Sequence, residues 1–365
     1  MKRRGQPLSI DFSLPAELEA HDPPEARGTA RDGVRMLVSR GAASAISHHE
    51  FGELPHLLLP GDLIVVNTSG TLPAEVRAGH DLAVHFSTPL PDGCWLVELR
   101  TVSGPATIPN EGGVAGEAIR LPAGVTLALI ERVTARLWRA RLSVAVLPYL
   151  LRHGVPIRYS YVQREWPLSA YQTVFATRPG SAEMPSASRP FTPEVVTRLV
   201  ARGIRFAPLT LDTGVSSLEG DEEPYPEPYD VPPATARLVN LTRREGGRVI
   251  AAGTTVVRAL ETAARARPAG NGGPAGSGGT ISDGNPVGDT GMVVASAGWT
   301  GHIVTPESGV LAVDGLLTGL HEPRSSHLRM LAAFADPDLL SRCYEAAIEG
   351  GYLWHEFGDV HLLLP

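Results

Sequence analysis

The sequence predicts an α/β protein with a second part built from antiparallel strands. With 365 residues, the chain exceeds the roughly 250 to 300 residues at which single cores stop growing. Hydrophobic residues make up 43% of the chain and charged residues 19%, which is enough for packed cores. Near residue 145 the apolar pattern changes from short strand-like runs to helices that alternate with strands. We therefore expect two domains.

Strand-like runs occupy the chain before this change. They are rich in Val, Leu and aromatic residues and are separated by Gly, Pro and Asn, a pattern typical of antiparallel strands in a small barrel or sandwich. The runs cover residues 61–70, 81–86, 94–100, 124–133 and 135–144.

Helical spacing dominates the rest of the chain. Four segments carry it, with Thr or Pro at their starts and Gly or Pro at their ends: 192–203, 232–247, 254–268 and 337–351. Apolar runs at 205–211, 248–253 and 292–298 lie between them and are short enough to be buried strands. The Gly/Pro/Ser-rich stretch 268–291 is predicted to be a flexible loop within this α/β part.

Composition excludes several classes of protein. A net charge of -7 argues against bulk electrostatic binding of nucleic acid, although a local basic patch remains open. Cys94 and Cys343 have no spacing typical of disulfide frameworks or zinc sites. No signal peptide, membrane span, metallohydrolase, serine hydrolase or glycosidase pattern occurs. We expect a cytoplasmic protein with no metal and no membrane segment; the oligomeric state cannot be read from the sequence.

A first candidate site lies where a buried-looking strand ends at Gly253 and passes into a helix. Free backbone N–H groups and the helix dipole make such a junction suitable for an anion such as a carboxylate. Thr254 or Thr255 offers a hydroxyl, and Arg258 lies on the same helix face. The alternative is that a Thr only caps the helix while Arg258 pairs with Glu261.

A second candidate is the sequence "LTGLHEPRSSHLRML" at 317–331. Pro323 fixes the backbone before a helix that Ser325 or its neighbour caps, so that His321 and Arg324 are presented from a rigid turn. A histidine at such a place is either structural or catalytic, and the pattern leaves both open.

Two loops complete the candidates. Pro185 and the small residues 186–188 precede a helix capped by Thr192; they permit a ligand to approach the backbone or simply form a tight connection. Asp359 follows a glycine and opens the last apolar run; it is suited to accept from a ribose hydroxyl or base amine, or to form an Asx-type turn.

Taken in order, these segments resemble the S-adenosylmethionine:tRNA ribosyltransferase-isomerase family of the queuosine pathway. The matching segments span nearly the whole chain: "FSLPAELEA", "RDGVRMLV", "LLLPGDLIVVNTSGTLPAEV", "YQTVFA", "MPSASRPFTPEVVTRLVARGI", "GGRVIAAGTTVVRALETAA", "VDGLLTGLHEPRSSHLRMLAAFA" and "CYEAAIEGGYLWHEFGD".

The resemblance implies an α/β domain with an inserted antiparallel β-barrel-like domain. We place the α/β domain at 1–60 and 150–365, and the β domain at 61–149.

The resemblance also implies that S-adenosylmethionine donates its ribosyl group to the 7-aminomethyl-7-deazaguanine of tRNA. Rearrangement then gives epoxyqueuosine, with release of adenine and methionine. The alternatives are a paralogue that uses S-adenosylmethionine on a small-molecule acceptor or lyses it, and a binding protein without activity.

This chemistry needs a base for the carbon next to the sulfonium, an acid for the departing adenine, and a neutral amine. His321 is the candidate for proton transfer because its intrinsic pKa lies near neutrality. Arg324 and Arg258 are candidates for the methionine carboxylate or a phosphate. The residues expected to bind or orient the substrates are Tyr171, Gln172, Pro185, Thr254, Thr255, Ser325 and Asp359.

The chain departs from the family pattern in three loops. "NTSGTLPAE" replaces an "NDTRV.PAR"-like sequence, "PSASRPFT" replaces "PTAGLHFT", and "LDTGVSSL" replaces "LHVGAGTF". The changes that gain or lose a charged residue, a glycine or a histidine include those at Thr68, Gly70, Glu75, Ser188, Arg189, Pro190 and Asp212. If these loops bind the acceptor, the changes alter tRNA recognition more than S-adenosylmethionine binding.

Overall fold

The computed structural model describes residues 12–104, 106–215, 225–266, 291–323 and 325–365. It is a mixed α/β structure that includes a barrel-like antiparallel sheet. The predicted Gly-rich loop lies outside the described residues except for its last position, and so does Arg324.

Helices and strands alternate along the second half of the chain, as predicted. The helices are α1 (Leu54–Leu57), α2 (Val146–His153), α3 (Pro193–Ala201), α4 (Pro233–Arg244), α5 (Thr254–Arg265), α6 (Ser326–Leu331) and α7 (Pro337–Glu349). The strands are β1 (Arg35–Arg40), β2 (Ala45–Glu50), β3 (Leu63–Asn67), β4 (Ser69–Thr71), β5 (Glu75–Ala78), β6 (Leu82–Pro89), β7 (Trp95–Ser103), β8 (Ala106–Pro109), β9 (Ala118–Arg120), β10 (Thr126–Arg132), β11 (Leu137–Leu142), β12 (Arg178–Ser181), β13 (Arg205–Leu211), β14 (Glu227–Val231), β15 (Val249–Ala252), β16 (Ser296–Thr300), β17 (Gly315–Gly319) and β18 (Val360–Leu364).

Nine strands form one mixed sheet in the order β16-β14-β13-β3-β15-β17-β18-β1-β2. Within it β13, β3, β15 and β17 are mutually parallel. Their carboxyl ends therefore meet at one edge of the sheet, the edge at which α/β proteins commonly bind ligands.

Strand β3 differs from the antiparallel pairing predicted for its residues. Residues 61–70 were predicted to be antiparallel, yet β3 lies between β13 and β15 and is parallel to both. β3 lies inside the parallel sheet because it can be covered on both faces: all five of its residues are buried. Leu63 and Val65 pack on one face of the sheet, and Ile64 and Val66 on the other. A continuous apolar run of this kind is typical of a parallel strand covered on both faces.

The remaining early runs confirm the antiparallel prediction. Strands β5, β6, β7, β11, β10 and β9 follow one another in a sheet, and β8 pairs with β7. Their inward side chains form a separate core that includes Phe86, Trp95 and Trp138. The packing of these aromatic rings away from the nine-stranded sheet makes the barrel-like sheet a second hydrophobic unit.

Two further predictions are corrected in part. The run 292–298 was predicted to be a buried strand, but the strand there is β16, at the edge of the sheet and largely exposed. Val293 is buried whereas Met292 is exposed, and both precede the strand, which begins at Ser296. The helix expected after Pro323 is short: α6 ends at Leu331.

Within the described residues, no helix combines the length and the apolar character that crossing a membrane requires.

Candidate functional site

A cavity of about 550 Å³ opens at the carboxyl edge of the parallel strands. Its wall includes Gly253 after β15, Gly319 at the end of β17, and Gly214 in the loop after β13. The volume lies within the range typical of small-molecule sites. The cavity brings together seven residues that the sequence analysis singled out: Tyr171, Pro185, Thr254, Thr255, Arg258, His321 and Ser325.

The start of α5 forms one wall of this cavity. Gly253 is the N-cap residue, with φ 107° and ψ 153°, and no side chain caps the helix. The alternative that a Thr serves as the cap is therefore wrong. Thr255 Oγ1 instead accepts from Asn67 Nδ2 at 3.4 Å. The first N–H groups of α5 consequently lie beside the cavity without a capping side chain, as the anion-site interpretation requires.

Gly253→Ala is expected to lower the free energy of unfolding by about 1 to 3 kcal/mol, because only glycine readily adopts this backbone conformation. Urea denaturation would measure the change. Gly301→Ala is the control: its new Cβ would lie 3.8 Å from Pro226, an ordinary contact, and its effect should stay within about 0.5 kcal/mol. Equal stability of the two variants would contradict the conformational argument.

Arg258 lines the cavity, but its guanidinium is already engaged. It forms an ion pair with Glu227 and donates to the carbonyls of His302, Tyr225 and Thr300 at 3.2 to 3.3 Å. These partners occupy most of its donors, and its role in holding a carboxylate or phosphate stays a prediction. The alternative pairing with Glu261 is wrong.

The partners of Glu261 lie in α5 itself and in the loop before β17. It pairs with Arg265 and accepts hydrogen bonds from the backbone N–H groups of Leu311 and Ala312.

Burial raises the pKa of the Glu227 carboxyl, whereas the adjacent Arg258 opposes that shift. The Glu227–Arg258 pair thus fixes the segments around 225–227 and 300–302 against α5.

His321 also lines the cavity, after β17, the strand that pairs with β15. Its Nε2 is 2.7 Å from Thr318 Oγ1, and its ring stacks on His327 with centroids 4.3 Å apart. Its backbone carbonyl accepts from Trp354 Nε1 at 3.1 Å. Burial, together with three neighbouring histidines, places the pKa of His321 well below its usual value. The ring is therefore neutral at pH 7 and held in one orientation.

Other histidines around the cavity are also neutral. Burial lowers the pKa of His302, His327 and His355 to about 4 in each case. The unfolded value is about 6.5, so between pH 6.5 and 4 the unfolded chain takes up more protons than the folded chain. Stability is consequently retained above pH 6.5 and lost as the pH falls towards 4.

His327→Gln should make the free energy of unfolding less dependent on pH between pH 6.5 and 4. The slope should fall by up to about 1.4 kcal/mol per pH unit, which corresponds to the uptake of one proton. Denaturant titrations at several pH values would measure this slope. His80→Asn is the control, because His80 is exposed and its loss should leave the slope unchanged. If the slope of His327→Gln equalled that of the original chain, the lowered pKa of His327 would be contradicted.

An aromatic and acidic cluster that the sequence analysis missed forms another part of the wall. The Tyr161 ring stacks on His355 with centroids 3.7 Å apart and on Tyr159 at 5.7 Å. Tyr161 donates its hydroxyl to Glu356, and Tyr159 donates to Glu183. Burial raises the pKa of Glu356 to about 7. The only local signal was the His-Glu pair between two aromatic residues at 354–357.

Two predicted binding residues do not line the cavity. Gln172 exchanges hydrogen bonds with the backbone of Thr71 at 3.0 and 2.8 Å. Asp359 accepts backbone N–H groups from Arg35 at 2.7 Å and Leu353 at 2.8 Å. Both side chains therefore hold the backbone, and that they bind ribose or base edges stays a prediction.

Ser325 and Pro185 occupy the predicted places with different local roles. Ser325 is the N-cap residue of α6, as predicted, but its hydroxyl makes no capping hydrogen bond and is buried without a partner. The Pro185 carbonyl accepts from Ser188, which turns the loop so that Ser186 and Ala187 line the cavity. Tyr171 packs against Phe357 at 5.1 Å.

The altered loops also reach the cavity. The seven positions named above lie outside its lining, whereas Thr71, Ser186, Thr213 and Val215, which differ as well from the quoted family sequences, line it. Arg189 is buried, donates to Ala170 at 2.8 Å and pairs with Glu25 at 2.9 Å. Asp212 accepts from Ser69 at 2.6 Å and pairs with Arg178 at 3.1 Å. The changes at Arg189 and Asp212 therefore form contacts behind the cavity wall.

Among the residues that the structure describes, no group of three His, Cys, Asp or Glu side chains is arranged to hold a metal ion.

A family model described as "Queuosine biosynthesis protein" matches residues 8–363. The chain belongs to the queuosine biosynthesis protein family. A relative from Acidiphilium cryptum, named S-adenosylmethionine:tRNA ribosyltransferase-isomerase, is 34% identical over 97% of this chain and 98% of its own length. A relative from Thermus thermophilus with the same name is 32% identical over 98% and 99%.

A solved family structure is similar throughout the chain. The crystal structure of the S-adenosylmethionine tRNA ribosyltransferase from Thermotoga maritima matches with a TM-score of 0.53 and 26% identity. The match covers 97% of this chain and 99% of that one. The mixed α/β architecture is thus that of a queuosine biosynthesis enzyme.

Proposed function

We propose that the cavity is the active site of an S-adenosylmethionine:tRNA ribosyltransferase-isomerase. The enzyme transfers the ribosyl group to the 7-aminomethyl-7-deazaguanine of tRNA and isomerises it to epoxyqueuosine, releasing adenine and methionine. Relatives that carry this name match nearly the whole chain, which favours tRNA over a small-molecule acceptor. The observation that carries the proposal is the convergence of the Gly-Thr-Thr and His-Glu-Pro segments on one cavity.

His321 is suited to accept the proton from the carbon next to the sulfonium. Its neutral ring is the form that accepts a proton, and its contacts with Thr318 and His327 fix the direction of the ring. The sulfonium charge acidifies the carbon and so lowers the barrier to removal of its proton. S-adenosylmethionine is the ribosyl donor in this step.

The start of α5 is suited to the methionine carboxylate. The N–H groups after Gly253 are uncapped, and the helix dipole stabilises a negative charge there. Thr254 and Thr255 border this place. The Glu227–Arg258 pair holds the loops around it, whereas Arg324 remains a candidate for a phosphate of the tRNA.

The barrel-like sheet is suited to be an inserted domain. Its strands β5 to β11 follow one another in sequence, whereas the nine-stranded sheet takes strands from both sides of them. We place this domain at about 75–142 instead of 61–149, since β3 belongs to the large sheet.

The test is to incubate the protein with S-adenosylmethionine and follow adenine and methionine by chromatography. Release is expected only when a tRNA with 7-aminomethyl-7-deazaguanine at the wobble position is added. The same tRNA with guanine at that position is the control. Release without tRNA would instead support a small-molecule acceptor or lysis, and no release would support a binding protein.

A further inference from the structure

We propose that Glu356, His355 and Glu19 form the subsite that binds the acceptor's ammonium group, and that Glu356 removes its proton. This inference rests on the proposed function, in which the acceptor is a primary amine. Such an amine has a pKa near 10 and is neutral in only about one molecule in a thousand at pH 7. The enzyme therefore has to bind the cation and deprotonate it before it can attack.

The unpartnered Nε2 atom of His355 points to a ligand. The side chain is 6% exposed, lines the cavity, and has no hydrogen-bond partner at Nε2. Glu19 Oε1 lies 3.7 Å away, which is beyond a hydrogen bond. A buried polar atom left without a partner costs about 1 to 3 kcal/mol. A ligand N–H group that donates to Nε2 would remove this cost.

The charges around the cavity favour a cation. The described lining residues include five carboxyl groups, those of Glu19, Glu183, Glu227, Glu322 and Glu356, but a single guanidinium, that of Arg258. That guanidinium is paired with Glu227. Because burial keeps His355 neutral, the ring does not offset the charge of Glu19 and Glu356.

Hydrogen bonding distinguishes an ammonium from the sulfonium of the donor. Both are cations and both are attracted by carboxylates. A sulfonium has no N–H or O–H group, however, and would leave His355 Nε2 without a partner. An ammonium has three donors, enough for His355 Nε2, Glu356 and Glu19 together.

The ring stack holds the subsite in place. Tyr161 is stacked against His355, with ring planes 8° apart, and its hydroxyl donates to Glu356. One residue thus fixes both the imidazole and the carboxyl group. His355 has φ 73°, a conformation that is uncommon for residues other than glycine and directs the ring towards Tyr161.

The proton step is a simple transfer. The ammonium N–H bond breaks, its electron pair stays on nitrogen, and the proton forms an O–H bond with the Glu356 carboxylate. A neutral amine and a neutral carboxyl group result. Burial gives Glu356 a pKa of about 7, so a substantial fraction is ionised at neutral pH and ready to accept. The ionisable groups that interact with Glu356 are Tyr161, Tyr171 and Glu183. Beyond them, Tyr159 acts on Tyr161, Arg158 on Tyr171, and His21 on His355.

Glu356→Gln is the deciding variant because it removes the charge and keeps an acceptor for Tyr161. At pH 7 its turnover with acceptor tRNA should fall about 100- to 1,000-fold. Between pH 7 and 9 its turnover should recover roughly tenfold per pH unit, as the neutral amine becomes more abundant. The Kd for S-adenosylmethionine, measured by calorimetry without tRNA, should change less than about threefold.

Glu349→Gln is the matched control, since Glu349 is exposed at the end of α7, and it should retain normal turnover. His355→Asn tests the subsite independently, because asparagine tolerates a positive φ but lacks the ring. It should raise the KM for acceptor tRNA about tenfold and leave the Kd for S-adenosylmethionine unchanged. If Glu356→Gln does not fold, His355→Asn alone tests the ammonium subsite, and an unchanged KM for acceptor tRNA would contradict it.

Three results would overturn the inference. Glu356→Gln with normal turnover would exclude proton removal by this carboxyl group. A loss without recovery at high pH would indicate a structural role. A matching loss of S-adenosylmethionine affinity would show that the subsite holds a cation of the donor. Each comparison uses an original chain that is active with tRNA, so failure here differs from failure of the proposed function, in which that chain itself is inactive.

Discussion

Replacing Arg258 by alanine is expected to destabilise the protein by about 3 to 5 kcal/mol. Its side chain is 9% exposed and that of Glu227 is 12% exposed, so the substitution leaves a buried carboxyl group without its cation. Three carbonyl groups lose a donor as well. The free energy of unfolding from denaturant titration would measure the loss.

Two controls separate this effect from the general loss of an arginine. Arg164→Ala removes a solvent-exposed ion pair with Asp22 and should cost at most about 1 kcal/mol. Adding Glu227→Gln to Arg258→Ala should recover part of the stability, because no charge is then left unpaired. If the double variant were less stable than Arg258→Ala, the buried-charge explanation would fail.

Replacing His321 by glutamine is expected to lower turnover about 100- to 10,000-fold. The glutamine amide can take the place of Nε2 beside Thr318 but cannot accept a proton at neutral pH. Because the pocket keeps its shape, the Kd for S-adenosylmethionine should change less than about threefold. Single-turnover release of adenine with acceptor tRNA would measure the chemical step.

His56→Gln is the control for His321→Gln, since His56 is exposed on α1 and lies outside the cavity. Its turnover should equal that of the original chain. If His321→Gln were fully active, a different group would have to take the proton. If it lost affinity and turnover to the same degree, the histidine would be a binding residue instead.

Periodicity predicted the elements well because it reports burial directly. Helices α3, α4, α5 and α7 begin close to the predicted Thr or Pro positions. It misplaced β3 because an apolar run shows that a strand is buried but does not identify the neighbouring strands. The partners of β3 are 142 and 186 positions further along the chain, as Leu63 pairs with Arg205 and Val249.

Side-chain roles were harder to predict than the location of the site. The Gly253 and His321 segments were found because strand ends and helix starts leave local signatures. The competing partners of Arg258, Gln172 and Asp359 come from distant loops, so no local pattern shows that these side chains are engaged. The cluster around Glu356 was missed for the same reason.

The position of β18 has a consequence for folding during synthesis. It follows every other described element in chain order, yet it lies between β17 and β1 in the large sheet. Until β18 emerges, β1 lacks its parallel partner some 324 positions away, since Met36 pairs with Val360. Contacts of such high contact order form slowly. During most of translation, one edge of the apolar strand β1 therefore stays unpaired in the nascent chain. An unpaired strand edge of this kind promotes aggregation, which chaperone binding during synthesis would prevent.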